Sequence, residues 1–220
     1  KFDFIIIHES GHEWFANSIT NKDIADMWIH ESFTNYSESL FVEYYYGKEA
    51  GFEYVRGTRK GIDNDKPIIG HYDVNSEGSS DMYPKGGNML HTLRQIVNND
   101  EKWREILRGL NSTFYHQTVT TKQIEDYLSN ATGVNLTAFF NQYLRDTRIP
   151  TLEYFFKKGF INFRWTNCVS GFDMPVKVTL NGAEQVLAPK TEWKNIATKT
   201  ENQKLDVNRN FYVASFNITE

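Results

Sequence analysis

At Ile149-Pro150 the spacing of apolar residues changes its period, and a chain with two periods cannot fold as one kind of layer. Upstream, apolar residues return every three or four positions, as they do along one face of a helix. That spacing predicts helices over 2–18, 23–46 and 49–62, another opening at Pro84 and running to about 98, and others over 100–115, after Thr120 and Thr121, and over 135–146. Pro84 suits a first helical turn and the two threonines suit a cap. Within 23–46, Ile24, Met27, Trp28 and Glu31 share a face. Residues 63–82, rich in Gly, Ser, Asn and Asp, have no period and predict a long loop, which in a compact domain is more often functional than idle.

Downstream the period is two. Leu152, Tyr154 and Phe156 alternate with their neighbours, as do Ile161, Phe163 and Trp165, and Val176, Val178 and Leu180. Asn181-Gly182 is a two-residue hairpin signal, and residues 211–216 alternate as an expected last strand. The expectation is a mainly α chain: a helical domain over 1–149, then a small β-sandwich-like domain over 150–220.

Composition removes several classes of function. A chain of 220 residues that is 40% hydrophobic and 15% aromatic has enough apolar surface to build a packed core, so disorder is excluded. A net charge of −4 leaves no basic footprint for nucleic acid. Apolar runs such as Ile5-Ile6-Ile7 fall far short of the roughly 20 residues that span a bilayer, so no transmembrane segment is expected. The single cysteine, Cys168, has no internal disulfide partner and reads as a small packed residue rather than a reactive thiol. The chain opens at Lys1 with neither an initiator Met nor a signal-peptide pattern, which predicts a piece cut from a longer protein.

The chemistry lies in His8-Glu9-Ser10-Gly11-His12, an H-E-x-x-H sequence. Four residues apart on a helix, both imidazoles reach one metal ion, while Glu9 is on the same helix and free to act as a base. A catalytic zinc takes three protein ligands and keeps one position open for water. Glu31, eighteen residues beyond His12 and on an apolar stripe, is the candidate third ligand; its alternative is a carboxylate paired with some Lys or Arg. Glu38, seven residues further on, returns to the same face and can accept a hydrogen bond from a liganding imidazole, unless it faces solvent. His30 points about 100° away from Glu31 and is a neighbour, not a ligand. His71, His91 and His116 have no metal-like spacing.

H-E-S-G-H-E-W-F-A-N, then Asp26-Met27-Trp28-Ile29-His30-Glu31-Ser32-Phe33, then Tyr83-Pro84-Lys85-Gly86-Gly87 resembles the gluzincin aminopeptidases, the aminopeptidase N-like family, in order over residues 1–150. The resemblance implies a thermolysin-like helical catalytic subdomain and a zinc-dependent aminopeptidase acting on peptides. It implies Zn2+ on His8, His12 and Glu31, Glu9 as general base, and Tyr83 as the donor to the oxyanion; by itself, Tyr83 reads as a core tyrosine.

Two departures stand out. The family usually has Asn-Glu-Gly around the third ligand, where this chain has His30-Glu31-Ser32. The family's upstream Gly-x-Met-Glu-Asn segment, whose glutamate holds the substrate's α-amine, is not present, and seven residues before His8 leave no room for the cleft's other wall. The expectation is therefore a fragment whose partners are peptide substrates and the missing N-terminal domains of the same protein, and which is inactive when isolated. A thermolysin-like endopeptidase and a non-catalytic interaction module are the competing readings. Sequons at Asn35, Asn111, Asn130, Asn135 and Asn217 reflect an Asn-rich composition. The resemblance alone leans toward a bacterial cell envelope or periplasm.

Overall fold

Asp3 starts the first helix by accepting the Ile5 N–H at 3.2 Å, one of the amides a helix N-terminus leaves unpaired. The structure, a computed structural model, describes residues 2–198 and 203–218. The chain divides into two compact units, Lys1–Thr147 and Arg148–Glu220.

In the first unit, helix α1 spans Phe4–Gly11, shorter than the expected 2–18. After Gly11 the backbone turns, and Ile19–Asn21 forms strand β1, paired in parallel with β2, Gln117–Val119. That pairing captures the β-branched Ile19 and Thr20, so a remote partner overrides local helical spacing. The expected helix over 23–46 is likewise split. Asp23 caps a 3-10 turn, Ile24–Asp26, and α2 proper runs from Trp28 to Tyr46. The remaining helices are α3 (Lys48–Thr58), α4 (Pro84–Val97), α5 (Asp100–Thr113), α6 (Thr121–Thr132) and α7 (Thr137–Arg145). Pro84 occupies the first turn of α4, and Thr120 with Gln123 makes a reciprocal cap on α6.

Trp28, Ile29, Phe33 and Tyr36 of α2 are fully buried, along with Met89, Leu90 and Leu93 of α4. At the start of α2 the core is polar but satisfied. Asp26, buried in the 3-10 turn, accepts from the Thr121 hydroxyl, the Thr121 N–H at 3.2 Å and the Tyr72 hydroxyl at 2.6 Å. The Trp28 indole N–H in turn donates to Thr121 Oγ1 at 2.7 Å. The long loop is also tied down: Asp81, in a 3-10 turn over Ser80–Met82, accepts from the N–H groups of Asp63 and Asn64 at 2.9 and 2.7 Å.

The second unit is made of strands. β3 (Thr151–Lys157), β4 (Phe160–Thr166), β7 (Lys194–Ala197) and β9 (Ala214–Asn217) form one sheet in the order β7-β4-β3-β9, with β5 (Val176–Leu180), β6 (Ala183–Leu187) and β8 (Leu205–Val207) in another, ordered β6-β5-β8. Asn181 and Gly182 both have positive φ, 50° and 84°, as a hairpin turn that follows the strand twist requires. Leu152, Tyr154, Ile161, Phe163, Trp165, Val176, Val178 and Leu180 face inward. The last strand differs from the expected alternation over 211–216. A turn in which Phe211 N–H bonds to Asn208 C=O buries both Phe211 and Tyr212, and pairing with β3 begins only at Ala214. The chain is therefore mixed rather than mainly α, with the helices and one two-stranded sheet in the first unit and two larger sheets in the second.

Asp26→Ala leaves the Thr121 and Tyr72 donors without their acceptor. It should destabilise the protein by about 3 kcal/mol in urea unfolding, since the penalty includes the donors left unpaired in the interior.

Candidate metal centre

Helix α1 delivers His8 and His12 side by side, with ring centroids 5.0 Å apart. Each ring is oriented through its Nδ1. His8 Nδ1 lies 2.8 Å from Glu38 Oε1, and His12 Nδ1 lies 3.0 Å from the Phe15 carbonyl and 3.3 Å from Thr34 Oγ1. With Nδ1–H donating in both rings, each Nε2 carries a lone pair, and both face one carboxylate oxygen from α2. Glu31 Oε2 sits 3.1 Å from His8 Nε2 and 3.7 Å from His12 Nε2. Three lone pairs thus point at one spot, and the side chains of His8 and Glu31 are only 12% exposed. Lone pairs so close repel unless a cation lies between them. Left to protons alone, the site takes one. Burial disfavours charge on His8, but its hydrogen bonds to Glu31 and Glu38 outweigh that and raise its pKa to about 9.

The spacing fits a metal. Ligand atoms bonded to zinc near 2 Å at tetrahedral angles lie about 3.3 Å apart, close to the two separations found here. One ligand atom each of His8, Glu9 and His12 also lies within 4.8 Å of the others, so two carboxylates border the imidazole pair. Glu31 faces both Nε2 atoms and is largely buried, whereas Glu9 is exposed. The geometry thus separates a carboxylate suited to holding the ion from one suited to meeting solvent and substrate.

Tyr83 approaches from the N-terminus of α4, its ring 5.7 Å from that of His8 and 37% exposed. Burial, then the charge of Glu31 and a hydrogen bond with it, push the phenol up to about 12. Its O–H therefore keeps its proton at neutral pH and can donate. The backbone explains how it gets there. A Cβ on Gly86 would lie 1.9 Å from Ser32 Oγ, and one on Gly87 would lie 2.4 Å from Asn35 Oδ1, so α4 meets α2 at a distance only glycine allows. Ser32 also donates to the Met82 carbonyl at 2.7 Å, fixing the turn that precedes Tyr83. Lys85, 1% exposed, donates to the Asp146 carbonyl at 2.8 Å, and burial lowers its pKa.

His30 does not reach the Glu31 cluster through its Nε2, which accepts the Asn21 N–H at 2.9 Å; burial lowers its pKa to about 4, so it stays neutral. Glu38 is buried at 2% exposure, and it accepts from Asn35 Nδ2 at 3.2 Å and from the Tyr54 hydroxyl as well as from His8. Asn35, a sequon residue, is thus an internal donor. Asn35, Thr34 and Tyr54 are the contributors to the site that sequence reasoning passed over. The position of Asn35 between Glu31 and Glu38 on one helix was a readable signal; Tyr54, on another helix, gave none.

A pair of imidazoles one turn apart on a helix, closed by a carboxylate from the next helix, is the donor set of a zinc peptidase. Residues 2–143 match the Peptidase family M1 domain, and the chain belongs to that family. It is similar to aminopeptidase N of Lactococcus lactis subsp. lactis, 26% identical over 162 residues that cover 68% of this chain and 19% of the relative. Leukotriene A-4 hydrolase of Xenopus laevis is 27% identical over 137 residues, covering 56% of this chain and 22% of that protein. Among solved structures, Legionella pneumophila aminopeptidase A in complex with aspartic acid superposes with a TM-score of 0.75 at 14% identity, over 99% of this chain and 27% of its own, a likeness of fold. The chain spans about a fifth of the length of the curated relatives it matches.

The contact between Gly86 and Ser32 is testable by a double-mutant cycle. Gly86→Ala should destabilise by about 2 kcal/mol in denaturant unfolding. Introduced into a Ser32→Gly background, it should cost about 1 kcal/mol less, because the atom it strikes is gone.

Proposed function

We propose that the whole protein is a zinc-dependent aminopeptidase, removing N-terminal residues from peptides, with His8, His12 and Glu31 as metal ligands. The observation that carries this reading is the convergence of two Nε2 lone pairs and one carboxylate oxygen on one half-buried spot. Bound zinc would lower the pKa of a coordinated water toward about 7 and polarise the scissile carbonyl. Glu9, exposed on the same helix, takes a proton from the attacking water and delivers it to the leaving amine, so that no net proton is gained or lost by the enzyme. The Tyr83 O–H donates to the carbonyl oxygen as negative charge builds there, worth about 3 kcal/mol by comparison with other oxyanion donors. Glu38 holds the His8 ring in the tautomer that turns Nε2 toward the ligand cluster. The relatives named as aminopeptidases favour this reading over a thermolysin-like endopeptidase. In this account residues 1–149 are the thermolysin-like helical part of the catalytic domain, and residues 150–220 are a small β-sandwich-like domain.

Among the described residues, no helix is long and apolar enough to cross a membrane. The test uses the whole protein with aminoacyl p-nitroanilides and the same substrates acetylated at the amine. Cleavage restricted to the free amine is expected, and cleavage of both would support the endopeptidase instead. Glu9→Gln should lower kcat about a thousandfold while zinc, measured by elemental analysis, stays bound. Tyr83→Phe should lower kcat about a hundredfold with little change in KM. Near-normal turnover by the Glu9→Gln protein would sink the mechanism.

A further inference from the structure

Helix α3 reaches the metal centre without touching it. The Tyr54 hydroxyl donates to Glu38 Oε2, while the other oxygen of the same carboxylate, Oε1, takes the His8 Nδ1 contact at 2.8 Å and the Asn35 amide at 3.2 Å. We propose that Tyr54 is a positioning residue for the metal ligand His8, acting through Glu38 to set the orientation of the imidazole and hence the affinity of the site for zinc. The inference rests on the reading of His8 as a ligand.

The physical case is one of constraint. A buried carboxylate needs its lone pairs met by donors, and it rotates to satisfy whichever donors remain. Asn35 and His8 both draw on Oε1, so by themselves they leave the buried Oε2 without a donor, and the carboxylate would shift toward whatever could supply one. The Tyr54 hydroxyl meets Oε2 and so keeps the carboxylate in the position that serves His8. The phenol is itself fixed, its ring packed 5.4 Å from that of Phe2 at 55°. It comes from a different helix than either Glu38 or His8, so α1, α2 and α3 are joined through one carboxylate. Hydrogen bonds to ionised groups are stronger than neutral ones, which makes this junction worth more than a surface contact. Partners behind a liganding histidine commonly change metal affinity 10- to 100-fold, roughly, when removed.

Zinc dissociation constants of the full chain, measured by competition with a chromophoric chelator, test the proposal. Tyr54→Phe keeps the ring and loses only the hydroxyl, so it should weaken zinc binding about tenfold. The visible absorption of the cobalt-substituted protein should change, because ligand orientation has changed. Tyr45→Phe, which removes an exposed hydroxyl, is the control and should alter neither. A zinc-binding wild type together with a Tyr54→Phe protein of affinity within twofold overturns this inference and leaves the aminopeptidase reading standing. A wild type that binds no zinc overturns both. A loss of thermal stability shared equally by chelated and zinc-loaded Tyr54→Phe, with no change in affinity, identifies a packing role and also overturns it.

Discussion

The close approach of α2 and α4 is the constraint from which the rest of the first unit follows. Two consecutive glycines let the helices meet where any Cβ would strike Ser32 or Asn35. The carboxylate at residue 31 and the phenol at residue 83 are presented to one another only because no side chain stands between their helices. The Ser32 hydroxyl fills what space is left and spends its proton on the Met82 carbonyl. Helix α2 therefore has a crowded side facing α4 and α1 and, further along, a charged end. There Arg94 of α4 bonds both oxygens of Glu43 at 2.6 and 2.9 Å and Asp100 at 2.9 Å. Against its burial, Asp100 is held down to about pKa 2 by its bonds to Arg94 and to Lys48, and the Arg94–Glu43 pair ties the two helices together at this end.

How much of this was legible in the sequence depends on the distance over which each residue acts. His8, His12, Glu31 and Glu38 act within helices, where spacing alone assigns a face, and the structure brings all four together. Glu9 and Tyr83 border the same cluster. The hairpin at Asn181-Gly182 was readable for a similar reason, because two residues needing positive φ write their own turn. Where the reading failed, the deciding partner was remote. Nothing within residues 12–18 says that the helix must stop at Gly11; the reason is β2, far along the chain. Gln117-Thr118-Val119 is too short and too polar to announce itself as a strand.

The departures from the family pattern at His30 and Ser32 also make sense only in three dimensions. Ser32 substitutes a hydroxyl where the family pattern has a glycine, and its partner glycine at 86 lies on the opposing helix. His30 gives its Nε2 to the Asn21 amide and so leaves Glu31 to His8 and His12. Each is placed by a contact outside its own helix, which single-sequence spacing cannot reveal.

The parallel pairing of β1 with β2 carries a temporal consequence. The segment that leaves the histidine helix finds its partner nearly a hundred residues further on, and the Lys22 N–H bonds the Val119 carbonyl there. During synthesis the two imidazoles can be on a formed helix long before the strand that anchors its far end exists. Closing so long a loop is entropically slow relative to forming helices. The segment that follows the histidine helix is thus anchored late, when α1 and α2, which carry His8, His12 and Glu31, can already have formed.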